Sequence, residues 1–131
     1  MDFQIQLVVG AYLVFIGKLK VEKLPYKKAY LLKQPLQYES SKYGNYTIPT
    51  NFCTDFASVP NLLQWWIKPQ GLHSKPSVLH DYLYSERKFS KFKADFIFLE
   101  AMKECGVNYK RYVMFIGVFL FGMFFKKGQK I

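Results

Sequence analysis

The chain has 131 residues, half of them apolar and 19% aromatic, including thirteen Phe and ten Tyr. That length and composition fit one domain able to bury roughly two-thirds of its unfolded surface, and they exclude disorder arising from low hydrophobicity. Nineteen Lys and Arg against nine Asp and Glu leave a net charge of +10, which points to an anionic lipid, nucleic acid or acidic protein surface as partner, unless the charge is only a solubilising coat.

Residues 1–14 read as an N-terminal extension. The apolar run Leu7 to Ile16 follows an acidic Asp2 with no basic stretch before it, so a secretory signal is not expected. Residues 15–59 read as β-rich. Lys18 to Glu22 alternates polar and apolar, with Leu19 and Val21 on one face. Ala29 to Leu32 and Leu36 to Tyr38 suggest a strand interrupted by Pro35, which would place it at an edge or end it there. Gly44-Asn45 is a turn signal between Tyr43 and Tyr46-Thr47-Ile48. Cys53 stands alone, as does Cys105; with no CxxC pair and no His at zinc-finger spacing, buried free thiols in a reducing compartment are expected, with a single disulfide between the two as the alternative.

Residues 60–125 read as helical. Pro60 fits the first turn of a short helix through Ile67, whose Trp65 and Trp66 read as core or interface anchors. Pro69 to Lys75, with His73, is loop-like; Pro76 then opens a helix carrying His80 to Tyr84, with Ser74 near its N-cap. The next helix runs from about Phe92 to Cys105 and stops at Gly106. Asn108 caps a last helix whose apolar run, Tyr112 to Phe125, is shorter than the ~20 residues a membrane span needs. A buried helix is expected there, or an interfacial one, because Lys110 and Arg111 precede the run and Lys126 and Lys127 follow it. Residues 126–131 form a basic tail. The fold class is thus α+β: a small N-terminal antiparallel sheet, then a C-terminal bundle of about three to four helices.

Candidate chemistry starts at Asp95. At about 100° per residue it falls on the apolar arc of its helix, between Met102 and Leu99. A carboxylate there is costly unless a cation, an imidazole or strong donors meet it. His80, on the preceding helix, fits that need. A carboxylate bound to one imidazole nitrogen fixes the tautomer and leaves the other nitrogen as a base. Tyr84, one turn on, is placed to donate to the same carboxylate. Asp81 points about 100° away from His80, toward a metal ion or water, and Asp55 would add a second carboxylate if its strand end reaches that helix. The same residues equally form a buried network that locks two helices together. Asp55 and Ser58 in the Thr54-to-Pro60 segment also fit an Asx-turn or helix cap.

The order Tyr38-Glu39-Ser40, Tyr46-Thr47-Ile48-Pro49, Thr54-Asp55-Phe56-Ala57-Ser58-Val59-Pro60, His80-Asp81-Tyr82-Leu83-Tyr84, Ala94-Asp95 and Gly106-Val107 closely resembles the phage and prophage proteins grouped as domain of unknown function 1353. The resemblance runs from about Phe15 to Gly122 and implies a viral origin without implying a reaction. His80, Asp81, Tyr84 and Asp95 also resemble, in type and order, the His-Asp-x-x-Tyr and later Asp of phospholipase A2. That likeness implies a water-activating His80, a calcium-ligating Asp81, and Asp95 with Tyr84 behind the imidazole. The glycine-rich calcium loop and the disulfides of the secreted enzymes are missing from this sequence.

Two functions follow as expectations. One is a phage-encoded, metal-dependent ester or lipid hydrolase with His80, Asp95 and Tyr84 in catalysis, Asp81 and Asp55 on calcium, and no other cofactor. The alternative is a non-catalytic virion, tail or assembly component. Its partners would be anionic lipid or other phage structural proteins, with nucleic acid less favoured, and its place the virion or the host-cell cytoplasm with peripheral membrane association.

Overall fold

A computed structural model describes residues 15–25, 29–55, 71–86 and 90–125. Six short strands come first: β1 (Phe15–Ile16), β2 (Val21–Lys23), β3 (Tyr30–Leu32), β4 (Leu36–Ser40), β5 (Gly44–Ile48) and β6 (Cys53–Thr54). Three helices follow: α1 (Ser74–Glu86), α2 (Lys91–Glu104) and α3 (Lys110–Phe125). The strands form two antiparallel three-stranded sheets, ordered β1-β4-β5 and β2-β3-β6, so the chain is α+β with the sheets ahead of the helices.

The expected single strand broken at Pro35 is instead two strands, β3 and β4, in different sheets. Proline cannot donate to a ladder, and here it marks the crossing between them. In β4 the alternation is strict, with Leu36, Tyr38 and Ser40 buried and Gln37 and Glu39 exposed. Tyr38 pairs with Tyr46 and Ser40 with Gly44 across the β4–β5 hairpin. The turn lies at residues 41–43, just before the expected Gly44-Asn45. Gly44 takes φ +99° at the start of β5, the left-handed residue that closes a three-residue hairpin loop. Ser40 Oγ accepts from the backbone N–H of Lys42 and of Tyr43, at 3.2 and 3.0 Å, fixing that loop.

Pro76 falls in the first turn of α1, where a missing N–H costs nothing. Ser74 is already helical, and its Oγ accepts from the Gly71 N–H at 2.8 Å. Ser90 caps α2, accepting from Lys93 N at 3.0 Å. At the other end the Gly106 N–H reaches Lys103 O and the Val107 N–H reaches Met102 O, with Gly106 at φ +85°; this double closure is why the helix stops there. Asn108 Oδ1 accepts from Lys110 N at 3.0 Å and opens α3 as expected.

The main core joins sheets to helices: Phe15, Leu32, Leu36, Tyr38 and Ile48 pack with Val78, Leu79 and Leu83 of α1 and Ala94, Ile97 and Ala101 of α2. A second cluster, Phe98, Met102, Val107 and Met114, joins α2 to α3. Full burial of each large apolar side chain contributes about 1.5–3 kcal/mol, so α2, with side chains in both clusters, is the element whose position fixes the others. Ring pairs Phe92–Phe119 at 5.2 Å and Phe96–Phe115 at 5.3 Å show that α2 and α3 run antiparallel. Among the described residues no helix is long and apolar enough to cross a membrane. The expected helix from Pro60 to Ile67, Trp65 and Trp66, Ser58, the extension 1–14 and the tail 126–131 lie outside the described residues.

Candidate functional site

Asp95 is wholly buried on the inner side of α2. Both of its oxygens are engaged: Oδ1 lies 2.8 Å from His80 Nε2, and Oδ2 accepts from the ammonium of Lys91. His80 projects from α1 and Lys91 stands one helical turn before Asp95, so the carboxylate ties two helices together. His80 and Lys91 are each only 6% exposed. Because a carboxylate only accepts, Nε2 carries a hydrogen, an assignment made from the partner, and in the neutral ring Nδ1 then holds the lone pair.

Aromatic rings complete the enclosure. Tyr84 stacks on the imidazole at 5.1 Å and Phe98 meets it at 4.8 Å. The Lys91 ammonium lies 4.6 Å from the Phe119 ring centre and 5.3 Å from that of Phe92, a cation–π arrangement that repays part of its lost hydration. Tyr84 therefore stacks on His80 where a donor to Asp95 was expected. Burial, and after it the negative charge of Asp95, raise the Tyr84 hydroxyl above the usual tyrosine value.

Asp81 lies on the neighbouring face of α1 and meets β6. Pairing of Tyr30 with Thr54 and of Leu31 with Cys53 holds the end of β6 in place. From there the Thr54 hydroxyl donates to Asp81 Oδ2 at 2.5 Å and the Asp55 N–H donates to the same oxygen at 3.2 Å. Burial, and next the charge of Asp55, push the Asp81 carboxyl up to about 7, against the opposing pull of the Thr54 hydroxyl. The strand end thus delivers Asp55 to the His80 helix, but the carboxyls form a proton-holding pair. Among the described residues no group of three or more His, Cys, Asp or Glu is arranged to hold a metal.

Two partners escape a sequence reading. A helix begun at Phe92 leaves out Lys91, although its i,i+4 spacing from Asp95 was a usable signal. At about 100° per residue Glu100 falls on the polar arc of α2 with Lys93, Lys103 and Glu104, yet it accepts from the buried Tyr38 hydroxyl through Oε1 and from Ser40 Oγ through Oε2 at 3.1 Å. Burial first, then the hydrogen bond to Glu100, raise the Tyr38 hydroxyl well above its usual value. No helical periodicity announces that contact, because its donors come from β4. His73, expected in a loop, is 7% exposed just ahead of α1.

No curated protein and no solved structure significantly matches the chain. A family model described as protein of unknown function (DUF1353) matches residues 30–118, a span that holds β3 to β6, all of α1 and α2, and both carboxyl clusters, and the chain belongs to that family.

Proposed function

We propose that the chain is a non-catalytic phage structural or assembly component, in which His80, Asp95 and Lys91 staple α1 to α2. The observation that carries this reading is the enclosure of all three polar groups: Asp95 has no exposed surface, and His80 and Lys91 are 6% exposed. A general base must take a proton from a water or substrate within reach. Here the imidazole is flanked by Tyr84 and Phe98. Lys91 also already balances the Asp95 charge, leaving that carboxylate less able to stabilise an imidazolium than the unpaired carboxylate of a hydrolytic triad. The phage origin rests on the likeness of the chain's separated motifs to phage and prophage proteins.

A second reading has one observation in its favour. The 2.8 Å contact between Asp95 and Nε2 orients the imidazole with Nδ1 as a lone-pair base, as an ester or lipid hydrolase of the phospholipase A2 type would need. The two readings separate in one experiment: hydrolysis of short esters and phospholipids, with and without calcium, beside thermal melts of wild type, His80→Ala and Asp95→Asn. The staple predicts no turnover and a stability loss of about 1–3 kcal/mol in each variant from unsatisfied buried groups. Wild-type turnover abolished by His80→Ala, in a variant that melts like wild type, would overturn it in favour of the hydrolase.

A further inference from the structure

The outer face of the α2–α3 hairpin is apolar where a solvated helix face is polar. On α3, Tyr112, Ile116 and Leu120 repeat every four residues and are 50%, 53% and 46% exposed. They point away from Met114, which packs into the core shared with α2. On α2, Phe92 and Phe96 are likewise exposed, and their rings meet Phe119 and Phe115, which join the two rows into one continuous surface. Scattered exposed apolar residues are ordinary, but a connected patch across two helices is a docking surface.

Charge is sorted around that patch. The hairpin's carboxylates are drawn inward: Asp95 is sealed by His80 and Lys91, Glu100 is held by Tyr38 and Ser40, and Glu104 acts on Tyr38 and Cys105. Its cations lie toward the surface. Lys93 is exposed near one end of the hairpin, while Lys103 is exposed and Lys110 and Arg111 partly exposed near the other. Lys126, Lys127 and Lys130 follow α3 in the sequence, and the whole chain carries +10.

We propose that this face docks the protein on an anionic lipid surface. In that arrangement α3 lies in the plane of the interface, Ile116 and Leu120 enter the boundary of the acyl region, and Tyr112 sits at headgroup level. Lys93, Lys103, Lys110 and Arg111 meet the lipid phosphates and carboxylates from the rim. Charge complementarity selects lipid over a second copy of the chain, since self-docking would bring two basic rims together. Phe92 and Phe119 of this face also cover the Lys91 ammonium, but binding carried by Ile116 and Leu120 stands whether or not His80 is catalytic.

The test is co-sedimentation of the full chain with vesicles of phosphatidylcholine alone and with vesicles that also contain phosphatidylserine, at low and physiological salt. Wild type should partition onto the anionic vesicles, weaken as salt rises, and bind the neutral ones poorly. The double variant Ile116→Glu, Leu120→Glu should lose about tenfold or more of that partitioning. Because both sites are exposed, a melt like that of wild type is expected; Ile116→Ser with Leu120→Ser, which adds no charge, should give a smaller loss in the same direction. Failure of wild type to bind anionic vesicles, equal binding to neutral ones, or binding untouched by both double variants would overturn the proposal. A dimer in gel filtration that dissolves in the variants, without vesicle binding, would overturn it in favour of self-association. Lowered melting of both variants, again without vesicle binding, would assign the face to a segment of the chain itself.

Discussion

Replacing Asp81 by Asn should stabilise the protein above neutral pH and leave it nearly unchanged in acid. In the folded chain Asp81 keeps its proton up to about 7, against 3.8 for an ordinary aspartate, because it is buried and faces Asp55. The folded state therefore binds that proton more tightly than the unfolded state. The contribution is fully present below about pH 4, is lost as pH rises through 7, and changes no further above that. A shift of about three units caps the loss at about 4 kcal/mol, and solvent reaching this half-buried group lowers the expected figure to about 1–3 kcal/mol. Asparagine has nearly the same shape: its carbonyl can accept from the Thr54 hydroxyl and the Asp55 N–H, and its amide can donate to the Asp55 carboxylate. Circular dichroism melts of wild type and Asp81→Asn from pH 5 to 9 should show the two curves diverging. At pH 8 the variant should melt about 3–10 °C higher. A variant less stable than wild type at pH 8, or a difference that does not vary with pH, would refute the pairing of Asp81 with Asp55.

Lys91→Met keeps much of the side chain's length but strands Asp95 in the core, and denaturant unfolding at pH 7 should show a loss of about 3–5 kcal/mol; a loss under 1 kcal/mol would mean that Lys91 does not balance the carboxylate. Glu100→Ala leaves the buried Tyr38 hydroxyl without its acceptor and should cost about 1–3 kcal/mol in the same assay. Burial raises the Cys105 thiol to about 11, with Lys75 opposing the rise and Glu104 adding to it, whereas Cys53, a free thiol expected to be buried, is exposed. Iodoacetamide at pH 8 should therefore label Cys53 about tenfold or more faster than Cys105 in the folded protein, and both at similar rates once unfolded.

What was legible in the sequence is what one element dictates by itself. Asp95 sits on an apolar arc, and that alone predicts a buried carboxylate with a partner on a neighbouring helix; His80 is that partner. Gly106 and Asn108 announced the end of α2 and the start of α3 because caps are local chemistry. The order of strands was not legible. Tyr30–Leu32 and Leu36–Ser40 lie close in the chain but go to different sheets, and that choice depends on which distant strand each pairs with. The same limit hid Glu100, whose donors sit sixty or more residues earlier. Tyr84 was placed in the right cluster with the wrong contact, since ring stacking and hydrogen bonding satisfy the same i,i+4 spacing.

The triad of His80, Asp95 and Lys91 also constrains how this protein can change over time. Loss of any single member leaves a buried charge or polar group unmatched, while simultaneous replacement of all three by apolar side chains of similar volume leaves nothing unmatched and is often neutral. A lineage that drifts one substitution at a time must cross the unstable intermediates, so the positions behave as one heritable unit. Relatives of this chain are expected either to keep the imidazole, carboxylate and ammonium together or to fill all three places with hydrocarbon.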